Sequence, residues 1–504
     1  MSLSLITNAQ TYGDKTAIIA QEGVFSYRDL LDASHQVATL LLQGEKDLNC
    51  QRVAYVVPSG FTHVAVQWGI WRSGGIAVPL CPSHPLPEWE YVIDNAQVSI
   101  LVSSPPFESP CRDLASRKGL RFLSTTEISQ VITPSPLPLL DDNRGALILY
   151  TSGTTGKPKG VLHTFKSLLA QVNSLVTAWE WTSSDRILHV LPLHHIHGIV
   201  NALTCALYSG ATCHLLPKFE AETVWHLIAQ KNYTLFMAVP TIYVKLINYW
   251  QQADASTRGR LSDGCKSMRL MVSGSAPLPV SVLQKWQEIS GHFLLERYGM
   301  TEIGMALSNP LHGKRLAGYV GTALPGVEVR LVDENGVVIQ EDNVAGEIQV
   351  RGDTVFSQYW ANPEATRQAF QDGWFRTGDL AVRENGNYRI LGRISTDIIK
   401  TGGYKVSALE IEEVLRTHPS IVDCAVVAVP DAEWGERVCV AIITEDKQLT
   451  LEKLRVWAKE RLAVYKIPTR MVVVSHFPRN PMGKVIKPAL RQLFDPHATT
   501  SQTG

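Results

Sequence analysis

Short apolar runs rich in β-branched residues alternate with amphipathic stretches along most of the chain. The apolar runs predict strands at residues 52–57, 146–150, 186–191, 235–239, 269–272 and 347–351. Amphipathic stretches such as residues 27–42 and 221–230 predict helices between them. This alternation is typical of parallel sheets covered by helices, so the sequence predicts an α/β fold.

The pattern changes near residue 390. Asn385-Gly386-Asn387 predicts a tight turn between strands at 379–382 and 388–391. Farther on, the pattern predicts helices at 411–415 and 451–462 and strands at 424–429 and 438–444. We therefore predict a large multi-subdomain N-terminal domain with mostly parallel sheets over residues 1–391. A small, mobile α+β domain over 392–504 would follow it, with a hinge near 392–397.

Composition excludes several classes of protein. The 504 residues are 45% hydrophobic, which argues against a mainly disordered chain. Lys+Arg and Asp+Glu are both 47, so no bulk charge favours nucleic acid or a membrane surface. No apolar stretch approaches the length of a membrane span. We expect no nucleic-acid partner and no membrane insertion.

The cysteines and the N-terminus bear on location. The eight cysteines include no C-x-x-C pair, so we expect reduced core thiols and not a disulfide scaffold or a zinc site. No Arg precedes Asp14, and no basic region is followed by an apolar core, so the start does not look like a presequence. The expectation is a cytoplasmic protein, or one of the mitochondrial matrix if the N-terminus has been processed.

One segment after a predicted strand is rich in glycine, hydroxyl and lysine residues. It runs Thr151, Ser152, Gly153, Thr154, Thr155, Gly156, Lys157, Pro158, Lys159. Glycines let backbone N–H groups approach an oxyanion, while hydroxyls and lysines add donors and charge. The spacing is not that of a Walker A loop. The segment predicts a phosphate-binding loop, with a flexible surface turn as the alternative.

This loop and five further motifs, in the same order, resemble the adenylate-forming superfamily of acyl-CoA synthetases, luciferases and peptide-synthetase adenylation domains. The five are Gly274-Ser275-Ala276, residues 298–302 (YGMTE), residues 373–379 (GWFRTGD), Gly392-Arg393 with residues 398–405 (IIKTGGYK), and residues 478–484 (PRNPMGK). The resemblance covers essentially the whole chain. It implies an enzyme that joins a carboxylate to ATP, releases pyrophosphate and passes the acyl group to a thiol, with ATP and CoA as co-substrates and Mg²⁺ as cofactor.

The resemblance also implies roles for the motif residues at the nucleotide. Residues 151–159 would wrap the β- and γ-phosphates, and Gly274, Ser275 and Ala276 would line the adenine. Tyr298 would stack on the adenine, with core packing as the alternative. Asp379 would accept the ribose hydroxyls, and Arg393 would bind ribose and phosphate.

Catalytic roles fall to three residues by the same resemblance. Thr301 would hold the α-phosphate, and Glu302 would bind Mg²⁺ unless it is an ordinary surface carboxylate. Lys484, on the small domain, would reach the α-phosphate and the attacking carboxylate.

A lysine so far beyond the hinge implies that the small domain docks in one pose for adenylation and rotates for thiol attack. Gly402, Gly403 and Tyr404 would then line the CoA channel, although the two glycines alone could be an ordinary turn. The pivot itself would be Ser395 or Asp397.

The acid substrate is indicated by Arg297, at a place where many relatives carry a small or neutral residue. A guanidinium there would bind a second carboxylate on the substrate, with His197 as a donor from the opposite wall and Lys245 as a less certain cation. Its alternative role is a salt bridge with Glu296. The cluster His194, His195 and His197 is not expected to bind a metal.

The blocks around residues 191–201, 237–243, 271–278 and 295–309 resemble malonyl-CoA synthetases, a subfamily that activates malonate and often methylmalonate. We therefore expect malonate, ATP and CoA as the small-molecule partners. The alternatives are a medium-chain or aryl acyl-CoA synthetase, a non-catalytic nucleotide-binding relative, and an adenylation domain that loads a carrier protein. No carrier domain follows Lys484, so no carrier protein is expected.

Overall fold

The computed structural model describes residues 3–129, 133–151, 157–431, 433–480 and 483–494. Its strands are β1 Thr16–Ala20, β2 Gly23–Ser26, β3 Arg52–Val56, β4 Ile76–Pro79, β5 Val98–Ser103, β6 Arg121–Ser124, β7 Gly145–Thr151, β8 Lys159–Thr164, β9 Arg186–His189, β10 Thr212–Leu215, β11 Leu235–Ala238, β12 Leu270–Ser273, β13 Leu295–Met300, β14 Gly304–Ser308, β15 Thr322–Ala323, β16 Glu328–Val332, β17 Gly346–Arg351, β18 Gln358–Tyr359, β19 Phe370–Gln371, β20 Trp374–Glu384, β21 Asn387–Arg393, β22 Ile398–Thr401, β23 Tyr404–Ser407, β24 Asp423–Asp431, β25 Gly435–Ile443 and β26 Arg470–Val473.

The α-helices are α1 Ser4–Gln10, α2 Tyr27–Leu42, α3 Phe61–Arg72, α4 Leu86–Ala96, α5 Glu108–Lys118, α6 Phe165–Ala178, α7 Cys205–Tyr208, α8 Ala221–Ala229, α9 Pro240–Gln252, α10 Ala255–Gly264, α11 Val280–Ser290, α12 Pro363–Ala369, α13 Ala408–Leu415, α14 Leu451–Lys459 and α15 Lys487–Gln492. A π-helix spans His197–Thr204. Helix α2 begins where the side chain of Ser26 accepts from the backbone N–H of Asp29 and the Asp29 carboxylate accepts in return, a local signal that fixes its first turn.

Two large sheets confirm the predicted α/β architecture. One has nine strands in the order β15-β14-β13-β12-β11-β9-β10-β1-β2, and the other has seven in the order β18-β8-β7-β4-β3-β5-β6. The inner pairs β10–β9, β9–β11, β11–β12 and β12–β13 are parallel, as are β4–β3, β3–β5 and β5–β6. Parallel strands place their carboxyl ends at one edge of a sheet, where ligands bind in such folds.

A third sheet, β16-β17-β20-β19 with β21 beside β20, is antiparallel, so the strand predicted at 347–351 exists but does not belong to a parallel sheet. Its hairpin β20–β21 turns at Asn385 and Gly386, whose φ angles of 49° and 79° fit a two-residue turn with both central residues left-handed. Asn387 already belongs to β21. The hairpin matters because it carries Asp379 and Arg393.

The apolar cores divide near the predicted hinge. Three clusters consist of residues up to Ile390, and two consist of residues from Ile399 onward. The second group surrounds a sheet in the order β23-β22-β25-β24 with β26 beside β25. The fold therefore has a large domain and a smaller α+β domain, as expected; the boundary at 391/392 stays a prediction.

Three expectations concern thiols, metals and membranes. All eight cysteines are free, and all but Cys50 are buried. Within the described ranges, no group of three or more His, Cys, Asp or Glu side chains is placed to hold a metal ion. In the same ranges, no helix has the length and hydropathy needed to cross a bilayer.

Candidate active site

The motif loops gather where parallel strands end. The phosphate-loop segment begins at the end of β7, Gly274 follows β12, and Arg297 and Tyr298 lie on β13 next to β12. The π-helix follows β9, which lies two positions from β12 in the same sheet. The topology therefore brings together motifs that are far apart in sequence.

Of the predicted phosphate loop, Ser152, Gly153, Thr154, Thr155 and Gly156 lie outside the described residues. Its ends are held: Thr151 pairs with Lys159 across β7 and β8.

Two tyrosine side chains contact the described C-terminal end of this segment, residues 157–159. The hydroxyl of Tyr91 donates to the carbonyl oxygen of Pro158 at 2.7 Å, and the ammonium of Lys157 lies 5.7 Å from the Tyr91 ring centre. The ammonium of Lys159 lies 5.0 Å from the ring centre of Tyr359. Sequence reasoning missed both tyrosines, because neither lies near a motif in the chain.

Thr301 and Glu302 form the turn between β13 and β14. Burial lowers the pKa of His163 to about 4, so this ring is neutral and its Nε2–H donates to the carbonyl oxygen of Thr301 at 2.8 Å. Glu302 is 6% exposed, and its Oε1 accepts from the hydroxyl of Tyr359 at 2.9 Å. Glu302 is therefore a buried, held carboxylate and not a surface one.

Asp379 is the centre of a hydrogen-bonded group that joins three strands. The Nε of Arg393 lies 2.9 Å from its Oδ1, and the Tyr298 hydroxyl donates to its Oδ2 at 2.6 Å. Arg393 also donates to the carbonyl oxygen of Thr377 at 2.8 Å. The register pairs Asp379 directly with Arg393 across β20 and β21. The structure thus brings together the three residues predicted at the adenosine moiety; their roles there stay predictions.

The hinge segment ends in a buried ion network. The Asp397 carboxylate accepts from the backbone N–H of Arg393 at 3.0 Å and lies 2.6 Å from the ammonium of Lys487, which lies 2.8 Å from Glu412. Asp397 is thereby fixed to the small domain, whereas Ser395 is exposed.

Two segments of the small domain have predicted roles, the turn before Lys484 and the loop of Gly402, Gly403 and Tyr404. Their surroundings differ. A Cβ placed on Gly483 would lie 2.4 Å from Oγ1 of Thr241, at the start of α9 of the large domain. The turn that carries Lys484 therefore contacts the large domain. The loop with Gly402 and Gly403 contacts other small-domain residues: a Cβ on Gly402 would lie 3.0 Å from the Trp434 ring, and Tyr404, 54% exposed, stacks on Tyr465.

Arg297 is 3% exposed, and its Nε and Nη2 have no hydrogen-bond partner among the described residues. Its neighbour Glu296 points to the opposite face of β13, where backbone N–H groups of Leu278 and Gly318 contact its carboxyl. The salt bridge between these two residues, the alternative role considered above, is absent from the described part of the chain. Burial lowers the pKa of the Arg297 guanidinium, which reflects how poorly this cation is compensated.

Gly274 lies against Arg297, and Ser275 lies against His197. A Cβ on Gly274 would lie 2.4 Å from Cζ of Arg297, so the absence of a side chain makes room for the guanidinium. The Ser275 hydroxyl lies 3.1 Å from Nδ1 of His197. Ala276 is half-buried. Their contact with adenine stays a prediction, but the structure gives a separate reason for a glycine at position 274, since a side chain there would collide with Arg297.

His197 is fully buried, and its Nε2 has no partner among the described residues. Burial, together with the nearby charge of Arg297, lowers the pKa of His197 well below its usual value, so the ring is neutral. With Nδ1 facing a hydroxyl, Nε2 is available as a donor. Lys245 does not join this group, since it is exposed and its ammonium lies 5.8 Å from the ring centre of Phe219.

Comparison with known proteins places this geometry in context. Residues 5–360 match the family described as AMP-binding enzyme, and residues 410–484 match the AMP-binding enzyme C-terminal domain. The mitochondrial malonate–CoA ligase of Mus musculus is 46% identical, over 100% of this chain and 92% of the relative. The malonate–CoA ligase of Arabidopsis thaliana is 39% identical, over 96% and 86%.

Among solved structures, ATP-bound MatB from Rhodopseudomonas palustris matches with a TM-score of 0.91 and 32% identity. The match covers 99% of this chain and 100% of that one. The similarity therefore extends over both domains.

Proposed function

Because the chain belongs to the AMP-binding enzyme family, we propose that it is an AMP-forming acid–thiol ligase that converts malonate, ATP and CoA into malonyl-CoA. In the first step a malonate carboxylate oxygen attacks the α-phosphorus of ATP, and the bond to pyrophosphate breaks. In the second step the CoA sulfur forms a bond to the acyl carbon and its proton is released to solvent, while the bond from the acyl carbon to the phosphate oxygen breaks and AMP leaves with that electron pair.

The observation that carries the choice of acid is the unpaired edge of Arg297. Nε and Nη2 lie on the same side of a guanidinium, and this edge binds both oxygens of one carboxylate. Elsewhere in this chain the same two atoms of Arg269 bind the two oxygens of Asp185, each at 2.7 Å. In Arg297 they are buried and unpartnered.

A second carboxylate on the substrate satisfies this edge, and a monocarboxylate leaves it unpaired. Sites built to bind a polar group reject ligands that lack it by roughly 10⁴-fold. The neutral ring of His197, held by Ser275, supplies a further donor to the same carboxylate. Two relatives that are named malonate–CoA ligases support this choice of diacid.

The proposed ATP-binding residues include side chains that hydrogen bonds already fix in position. Asp379 and Arg393 would bind the ribose, while Thr301 and the phosphate loop would bind phosphates. Glu302 fits Mg²⁺: it is a hard oxygen donor fixed by Tyr359 beside the phosphate loop, and this ion takes one or two carboxylates plus phosphate oxygens. Bound there, Mg²⁺ would neutralise phosphate charge.

The small domain would serve both steps. The closeness of Gly483 to Thr241 of the large domain supports a pose in which Lys484 would act in adenylation. The exposed loop of Gly402, Gly403 and Tyr404 is available to line the CoA channel after rotation.

The proposal includes location and partners. The name of the mouse relative includes the mitochondrion, which favours the second of the two locations considered above. The substrates are small molecules, with no nucleic acid or carrier protein required. Fractionation of cells that express the full-length protein, followed by detection in matrix and cytosol, tests the location.

The function is tested by pyrophosphate release with a panel of acids. Malonate, methylmalonate, propionate, octanoate and coumarate are compared at equal concentration, with AMP and acyl-CoA measured in the same reactions. We expect malonate to be preferred over propionate by at least about 100-fold, since the buried edge of Arg297 pairs only with a diacid. Preference for octanoate or coumarate would establish the medium-chain or aryl alternative instead.

A further inference from the structure

The π-helix carries a second buried polar side chain besides His197. Asn201 is 0% exposed, and neither its Oδ1 nor its Nδ2 has a hydrogen-bond partner among the described residues. An amide with both ends buried and unpaired is rare, and such groups mark a bound ligand or water. The remaining residues of this helix are apolar or small, apart from Thr204, whose hydroxyl donates to the carbonyl oxygen of Ile199 at 2.7 Å.

The register of the nine-stranded sheet shows which face this helix covers. His189 aligns with Met237, Met237 with Val272, and Val272 with Leu295, so these side chains share one face. Arg297, two residues after Leu295, lies on the same face. The Nε2 of His189 contacts the carbonyl oxygen of Gly198 at 3.0 Å, which ties the start of the π-helix to that face.

Within the helix, Asn201 shares its side with His197. Residues four apart lie on one face of a helix, and the wider turn of a π-helix keeps this relation. His197 faces Ser275 and the charge of Arg297. The start of the π-helix is closely packed, since a Cβ on Gly198 would lie 2.2 Å from the carbonyl oxygen of Pro192. Asn201 therefore lies one turn deeper along the wall that His197 begins.

We propose that Asn201 is a specificity-determining residue whose Nδ2 donates to the far carboxylate of the substrate that Arg297 binds. This inference rests on the proposed function. A carboxylate accepts up to about four hydrogen bonds, and the edge of Arg297 supplies two. His197 and Asn201 supply donors from the facing wall. An amide is suited to this place because, unlike a second cation, it adds a donor without further buried charge.

The test compares a diacid with the monoacid of equal carbon number. Asn201→Leu keeps the side-chain size and removes the hydrogen bonds, and Asn201→Asp keeps the shape and adds a repelling charge. We measure kcat/KM for malonate and for propionate, KM for ATP, and Tm. We expect Asn201→Leu to lower kcat/KM for malonate by about 10- to 100-fold, the usual effect of a lost hydrogen bond to a charged group. Propionate turnover and the KM for ATP should stay within about twofold, and Asn201→Asp should lose more malonate activity than Asn201→Leu.

Gln67→Leu is the matched control. Gln67 is also 0% exposed and has an unpartnered amide nitrogen among the described residues, but it lies on α3, and its Oε1 accepts from the hydroxyl of Tyr55 on β3 of the other large sheet. The control should leave the ratio of malonate to propionate unchanged. If Asn201→Leu does not fold, Asn201→Ser provides the same comparison with a smaller change.

Equal losses for malonate and propionate, or a lower Tm with an unchanged ratio, would overturn the role of Asn201 while leaving the proposed function intact. A wild-type enzyme that prefers propionate or a longer monoacid would overturn both.

Discussion

Replacement of Arg297 by methionine should separate substrate recognition from stability. Methionine has a similar length and no charge, so it removes the unpaired N–H groups of Nε and Nη2 and keeps most of the packing above Gly274. We expect opposite effects on malonate turnover and on the stability of the free enzyme.

The magnitudes follow from the burial of the guanidinium. Removing one partner of a buried charge pair costs roughly 2–5 kcal/mol, which corresponds to a loss of about 30- to 5,000-fold in kcat/KM for malonate. In the free enzyme, each unsatisfied buried donor destabilises the fold by about 1–3 kcal/mol. A residual cavity offsets part of the gain. The melting temperature should therefore rise by a few degrees.

The assay combines pyrophosphate release with thermal shift. Wild type and Arg297→Met are compared with malonate and propionate at saturating ATP, and melting is recorded with and without malonate. Arg297→Lys is the control that keeps a cation but loses the side-on edge, and it should recover only a small part of the malonate activity. Malonate should stabilise the wild type and not the methionine variant. A lower melting temperature with equal loss for every acid would show that Arg297 supports the fold, and the reasoning would be refuted.

Three further changes test other parts of the site. Lys484→Ala should slow adenylation by about 100-fold or more yet spare thioester formation from supplied malonyl-AMP, because the lysine serves only the first pose; equal loss in both half-reactions would contradict the two-pose model. Gly274→Ala should raise the KM for malonate by about tenfold or more, since its Cβ would lie 2.4 Å from Cζ of Arg297; a raised KM for ATP alone would instead favour the adenine role. Burial raises the pKa of Glu296 to about 8, with Glu413 adding to the shift, so the folded state keeps a proton that the unfolded chain loses near 4.5. Stability should therefore fall between pH 4.5 and 8 by up to about 1.4 kcal/mol per pH unit, and Glu296→Gln should remove that slope in urea denaturation at pH 5 and pH 8.5; parallel curves for both proteins would contradict it.

Local patterns were enough to predict the strands and helices that were named from the sequence. Helix α2 begins and ends as predicted, because the Ser26 cap and the apolar periodicity both act within a few residues. The strands near 186, 235 and 269 were predicted to within about two residues at each end, since buried parallel strands are uniformly apolar. The direction of pairing was less accessible, as the antiparallel placement of residues 347–351 shows. An apolar run looks alike in either type of sheet.

The motif residues were also accessible from sequence, since each motif is a contiguous stretch whose residues act together. The side chains that hold them were not. His163 contacts Thr301 from 138 residues away, and Tyr359 contacts Glu302 from 57 residues away. Nothing in the local sequence distinguishes these residues from ordinary core histidines and tyrosines.

The sequence by itself determined that a cation stands at position 297 beside a nucleotide motif, and it left open a salt bridge between this cation and Glu296. Only the tertiary structure decided that this cation is buried above Gly274 with one edge unpaired, and that the π-helix lies on the same face of the sheet. The physical reason is that a hydrogen-bond partner is a property of three-dimensional neighbours. A sequence states which donors a chain carries, and only the packing of distant segments leaves some of them for a ligand.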